Sequence, residues 1–196
     1  MPRYADDLTL RLARRQYFDA NGFGEGGYDE KWVKVKIGPL PFAFPNTAQR
    51  VRSVRLHDLH HVVTDYGTDM TGESEIGAWE IASGCRDHWA AWVLNLSAFG
   101  LGLLIAPRAM WTAFARGRHS ANLYDGEYDE ALLDESVRSL RSRLRLGAAA
   151  PAANATDVLA FVAWSLAGIL VFGTALALTL APLVLIVASL LRLLMH

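Results

Sequence analysis

The chain has 196 residues, with 19 basic and 20 acidic side chains and 52% hydrophobic residues. That length holds one ordinary domain plus an appendage and buries a core without staples, and the near balance of charge argues against a nucleic-acid surface. A single cysteine, Cys85, excludes an internal disulfide and points to a reducing compartment; directly after Ser83-Gly84 it reads as an inert thiol rather than a nucleophile.

In chain order, Leu8–Phe18 reads as a short helix, with Asp6 or Asp7 as its N-cap and Ala20-Asn21-Gly22 as its stop. Gly22–Pro45 is rich in glycine, proline and aromatics. Its alternating stretch (Trp32, Val33, Val35, Ile37) fits either a loop or a small hairpin. Asn46-Thr47 caps a helix running to about Asp65, and Tyr66–Met70 is a turn. Asp69 or Thr71 then starts a helix that ends near Ser83-Gly84. An apolar helix follows from about Asp87, and Pro107 suits the first turn of another over Arg108–Arg116. A last polar helix spans about Tyr128–Leu146. Asp65 and Asp69 fit turn and capping roles.

Two apolar stretches carry different meanings. Trp89–Pro107 is uncharged but holds Asn95, Ser97 and two glycines, so it reads as a core helix covered by the rest of the domain. Val158–Leu191 runs 34 residues without an ionisable group, where one span needs about 20. Lipid is the expected cover for it. Pro182 and Gly173-Thr174 leave two layouts open, a kinked helix or a tight hairpin. All twenty acidic residues and eighteen of the nineteen basic ones precede Val158. The expected division is therefore a helical domain over 1–146, a linker over 147–157 and a membrane segment over 158–196. The fold class is all-α, with a minor β element at most.

No signal peptide is expected in Met1–Ala20, where charges interrupt every apolar run. Arg138, Arg141, Arg143 and Arg145 lie just before the linker, and the positive-inside rule puts that side in the cytoplasm. The same arginines read equally as headgroup contacts or as the solvated face of an amphipathic helix.

The informative line is RLHDLHHVVTDYGTDMTGES, Arg55–Ser74. On a helix His57 and His61 share a face one turn apart. Asp58 is rotated by about 100° but stays on the same half. A short turn lets Glu73, in the first turn of the next helix, approach the same point. Two imidazoles and two carboxylates suit one divalent ion, Zn²⁺, Fe²⁺, Mn²⁺ or Co²⁺, and the donor types alone do not choose among them, Zn²⁺ being the first expectation. His60 lies to the other side of His57 and is assigned a hydrogen bond to a carboxylate or water. Glu80, seven residues after Glu73, reads either as an exposed residue or as a supporting group or base behind the ligands. The line also contains H-x-x-H-H, but only His88, His119 and His196 remain elsewhere, and they form no second histidine box.

These residues resemble the coenzyme Q (ubiquinone) biosynthesis protein Coq-four family, whose signature is His-Asp-x-x-His, eleven residues, then Glu. Here that is His57, Asp58, His61 and Glu73, and the spacing matches at every position. Ala115–Leu144 is similar to the basic stretch and closing helix of the same family. The likeness covers roughly Arg50–Leu146; Gly22–Pro45 is less familiar, and the hydrophobic tail is an addition to the usual pattern. The resemblance implies an all-α fold with one divalent ion, a groove for a polyisoprenoid chain, and membrane lipid and other quinone-biosynthesis proteins as partners. It further implies C1 decarboxylation coupled to hydroxylation of a prenylated aromatic precursor, or, as the alternative, a non-catalytic lipid-binding scaffold. A catalytic ion needs an open position facing an apolar groove, whereas a structural one is closed by protein.

Overall fold

The computed structural model describes residues 3–37, 40–147 and 152–194. The chain is helical. α1 (Leu10–Asn21) leads to a two-stranded antiparallel hairpin, β1 (Trp32–Ile37) and β2 (Leu40–Pro45), in register from Trp32 opposite Pro45. Then come α2 (Ala48–Thr64), α3 (Met70–Ser83), α4 (Trp89–Ile105), α5 (Pro107–Arg118), α6 (Glu130–Asp134), α7 (Val137–Arg143) and α8 (Ala155–Leu194). Of the two readings of Gly22–Pro45, the hairpin is the one adopted.

Caps fix most boundaries. Thr47 Oγ1 accepts the Arg50 N–H at the start of α2, and Asp69 Oδ1 accepts the Gly72 N–H at the start of α3. The cap of α1 is Thr9 rather than Asp6 or Asp7, and Gly22 ends that helix in the left-handed region. α2 ends at Asp65, also left-handed (φ 65°), whose carboxylate accepts from Arg141 at 2.9 and 3.0 Å.

The expected single helix over 128–146 is instead two short ones. Glu135 is extended, and Ser136 pairs with Thr9 in an antiparallel bridge; Leu10 N–H donates to the Glu135 carbonyl and Val137 N–H to that of Leu8. Asp129 and Ser136 each cap a new start. Arg141 is likewise not a headgroup contact or a solvated residue. Its side chain is 13% exposed and donates to Asp6, Asp65 and the carbonyls of Val62 and Val63, closing the C-terminal end of α2.

Two buried clusters form the core. One gathers α1, α2 and α7 around Leu10, Leu56, Leu59 and Leu140; the other gathers α3, α4 and α5 around Ile76, Trp79, Phe99 and Phe114. The second extends to Ala160, Phe161 and Trp164 of α8. The tail is therefore covered in part by protein, contrary to the expectation that only lipid meets it. Trp92 stacks on Trp164 at 5.0 Å between centroids, and Phe161 meets Phe99, Trp111 and Phe114 edge to face. Gly100 and Gly168 let the two helices approach closely, since a Cβ on Gly100 would overlap the Gly168 backbone. In return α4 keeps Trp89, Val93, Leu94, Leu104 and Ile105 substantially exposed, so it is only partly a core helix. α8 runs as one helix through Pro182, which rules out the hairpin, and Ala155–Pro182 is long and apolar enough to cross a membrane.

Candidate metal centre

Three of the four expected ligands meet. One donor atom from each of His57, His61 and Glu73 lies within 4.8 Å of the others. His57 Nε2 is 3.1 Å from His61 Nε2 and 3.6 Å from Glu73 Oε2, and His61 Nε2 is 3.5 Å from Glu73 Oε1. The α2–α3 turn makes this approach. Gly72 packs so tightly on Gly67 that a Cβ would overlap the Gly67 backbone, which brings the first turn of α3 in beside α2.

The imidazole tautomers follow from their partners. His57 Nδ1 is 2.8 Å from Glu80 Oε1, and His61 Nδ1 is 3.2 Å from the Tyr66 carbonyl. A carboxylate and a carbonyl only accept, so each Nδ1 carries the proton and donates. In the neutral ring each Nε2 is then a lone pair, and the two Nε2 atoms face one another beside a carboxylate. Such an arrangement repels itself unless a proton or cation sits between. The spacing fits a cation: two nitrogens bound tetrahedrally at about 2.0–2.1 Å from Zn²⁺ stand about 3.3 Å apart. The proton side of the same competition is visible too. Burial disfavours charge on His57, but Glu80 and Glu73 outweigh it and hold its pKa well above the ordinary value. Glu73 is shifted the other way: burial raises its pKa, and His57 and His61 more than reverse that.

Asp58, the fourth expected ligand, is not in the group. Its Oδ2 accepts from the Tyr28 hydroxyl at 2.6 Å. The rotation of about 100° from His57 carries it towards the loop between α1 and β1. Burial raises its pKa, against the pull of the Tyr28 hydrogen bond.

Glu80 is fully buried, contrary to the reading as an exposed residue. Oε1 accepts from Nδ1 of His57 and, at 2.6 Å, from Nδ1 of His60; Oε2 accepts from Asn95 and, at 2.7 Å, from the Tyr124 hydroxyl. Burial alone would raise its pKa, but His57 and His60 hold it well below the usual carboxylate range. His60 Nε2 accepts the Leu123 N–H at 2.9 Å, so this ring is a neutral spacer; burial lowers its pKa. Tyr17 stacks on His61 at 5.4 Å. Tyr17, Tyr28 and Tyr124 carry no signal in the sequence, and Asn95 is marked there only as a polar residue of the apolar helix. They lie far from the motif along the chain, and no local spacing marks them.

Cys85 is buried, with its Sγ 3.6 Å from the Glu80 carbonyl, and burial pushes its thiol pKa up, in keeping with an inert residue. His57, Asp58 and Glu73 open on a cavity of about 770 Å³. Its walls come from Tyr17 and Phe23 on the α1 side, Trp32, Val33 and Phe44 of the hairpin, and Ala91, Leu94 and Ala98 of α4. This volume lies within the range of small-molecule sites. No protein-family model matches the chain, and neither curated proteins nor solved structures give a match.

Proposed function

We propose that this chain is a metal-dependent protein of ubiquinone biosynthesis, held at the membrane by α8, that acts on the head group of a prenylated aromatic precursor. The observation that carries the reading is the pair of imidazole Nε2 atoms 3.1 Å apart, set beside Glu73 and opening on an aromatic-walled cavity. The match of His57, Asp58, His61 and Glu73 to the Coq-four signature supplies the substrate class. His57, His61 and Glu73 would hold one divalent ion, Zn²⁺ foremost, leaving its remaining position towards the cavity. Bound there, the ion supplies Lewis acidity towards negative charge developing at the substrate head group.

The chain's own residues do the rest. Trp32, Phe23 and Phe44 exclude water and orient an aromatic ring. The Tyr28 hydroxyl donates to Oδ2 of Asp58, and Asp58 lies beside the ligands on the cavity wall, where its carboxyl can hold a proton. Replacing a ring carboxylate by hydroxyl releases CO2 and two electrons, so the reaction draws on an oxidant such as dioxygen. The exposed faces of α4 and α8 keep the cavity close to the lipid phase in which a polyisoprenoid chain dissolves. By the positive-inside rule the helical domain faces the cytoplasm.

The test is turnover of a prenylated hydroxybenzoate by the full chain in nanodiscs, read as CO2 release and hydroxylated product, with His61→Ala beside the wild type. Metal-dependent turnover lost in the variant supports the enzyme. A metal-loaded wild type that binds the lipid but never turns it over with dioxygen supports the scaffold alternative instead.

A further inference from the structure

The cavity holds a cation that the metal centre does not use. Arg50 lies on α2 seven residues before His57, two turns away on the same face and about 10 Å along the helix axis. Arg50 forms part of the cavity wall, and its guanidinium sits over the Phe44 ring at 5.9 Å. One amino group donates to Asn46 Oδ1 at 2.8 Å. Asn46 is itself fixed, because its amide donates to the carbonyls of Gly27 and Glu30 at 3.1 and 2.8 Å. Nε of Arg50 is buried and has no hydrogen-bond partner.

Arg14 and Arg55 also carry a buried Nε without a partner and lie over aromatic rings, but neither lines this cavity. Arg11, Arg52, Arg86, Arg118, Arg141 and Arg143 all pair with a carboxylate within 3.2 Å. Arg50 forms no ion pair among the described residues. Burial lowers its pKa against the pull of Asp58 and Tyr28, as expected of a cation short of counter-charge. An aromatic shelf below and an oriented asparagine to one side hold the planar guanidinium at the cavity, a cation whose shape suits a planar oxyanion.

We infer that Arg50 is the specificity-determining residue for a carboxylate on the aromatic ligand of this cavity, binding that group at one end while the His57–His61–Glu73 centre meets the other. This rests on the proposed function for the identity of the ring, but not for the anion. The ligand class is an aromatic carboxylate carrying an apolar chain, with an oxygen substituent on the far side of the ring. Between the two ends lies the stretch of α2 from Ser53 to Val54, and Trp32 and Leu94 also line the cavity.

The experiment compares binding of two probes to the full-length protein in nanodiscs: prenylated 4-hydroxybenzoate and the same prenylated phenol without the carboxylate. Wild type is expected to prefer the carboxylate roughly ten- to a hundred-fold, the range of a charge-assisted pair in a sheltered site. Arg50→Gln is expected to abolish that preference while leaving affinity for the phenol and metal content unchanged. Arg50→Lys, which keeps the charge but not the fork, is expected to restore part of it. Metal content and the circular dichroism spectrum check that each variant is folded. An unchanged preference in Arg50→Gln overturns the inference, as does a wild type that binds both probes equally. So does a wild type that prefers farnesyl monophosphate to the benzoate. Preference that depends on Arg50 in a protein that neither takes up metal nor turns over substrate leaves this inference standing and removes the proposed function instead.

Discussion

Glu80 accepts a hydrogen bond from Nδ1 of His57 at 2.8 Å, and that bond decides which nitrogen of His57 faces the cavity. The same carboxylate takes three further donors, from His60, Asn95 and Tyr124, so no lone pair is left wanting in a fully buried site. A buried charge is tolerated only on such terms. Glu80→Gln breaks them, because an amide offers one accepting oxygen to four donors and adds two donors of its own. The expected result is a loss of about 3 kcal/mol in stability by denaturant titration, with metal affinity reduced roughly 10- to 100-fold.

The ligand set is tested by metal content. His61→Ala and Glu73→Gln each remove a donor from the group of three and are expected to leave purified protein without stoichiometric metal. Asp58→Asn keeps the hydrogen bond from Tyr28 and removes no member of that group, so it is expected to retain the ion. Loss of metal in Asp58→Asn as complete as in His61→Ala would make Asp58 a fourth ligand after all.

Much of this was legible along the chain. Thr47, Asp69, Gly84 and Pro107 punctuate α2 to α5 with local chemistry, and His57, His61 and Glu73 needed only helical spacing and a short turn. The break at Glu135 was not, because its cause is a bridge to Thr9 more than 120 residues away. The burial of Glu80 is hidden along the chain for a similar reason. A carboxylate in the run AWEIA reads as solvated until its partners arrive from α2, α4 and Tyr124. Arg141 belongs with it, since a basic residue before an apolar tail looks like a membrane contact and is instead the clamp on α2.

Protons and metal compete for the same nitrogens, and the direction follows from His57. Its folded pKa lies well above the ordinary value of 6.5, so in metal-free protein its contribution to stability is fully present below pH 6.5 and lost as pH rises through the folded value. Metal uptake must displace that proton. Affinity is therefore expected to rise about tenfold per pH unit while His57 is protonated in the free protein. Calorimetry in buffers of different ionisation enthalpy measures the proton released. Binding with no proton release below the folded pKa would contradict this.

The contact between α4 and α8 depends on two glycines. Gly168→Leu forces bulk against Phe99 and the Gly100 backbone, and the first half of α8 must lift away from the domain. The stacked Trp92–Trp164 pair reports the change. Its exciton signal in circular dichroism is expected to vanish, with a stability loss of about 1–3 kcal/mol. Asp157 anchors the same end of α8 through Arg118 and His119, both at 3.2 Å, and Asp157→Asn is expected to weaken the signal without abolishing it.

The position of Glu73 depends on how closely α3 begins beside the turn. An alanine at position 72 would place its Cβ in the Gly67 backbone, which has no side chain that swings aside. The turn must open, and Glu73, the next residue, moves away from His57 and His61. Gly72→Ala is expected to lower metal affinity by tenfold or more while α2 keeps its two histidines one turn apart. Gly173→Ala, where nothing lies within 4 Å of the added carbon, serves as the matched control and is expected to bind metal as the wild type does. Titration of both variants with Zn²⁺ against a competing chelator measures the difference. Native affinity in a folded Gly72→Ala protein would mean that Glu73 reaches the ion by its own side-chain freedom, and that the tight turn is not what positions it.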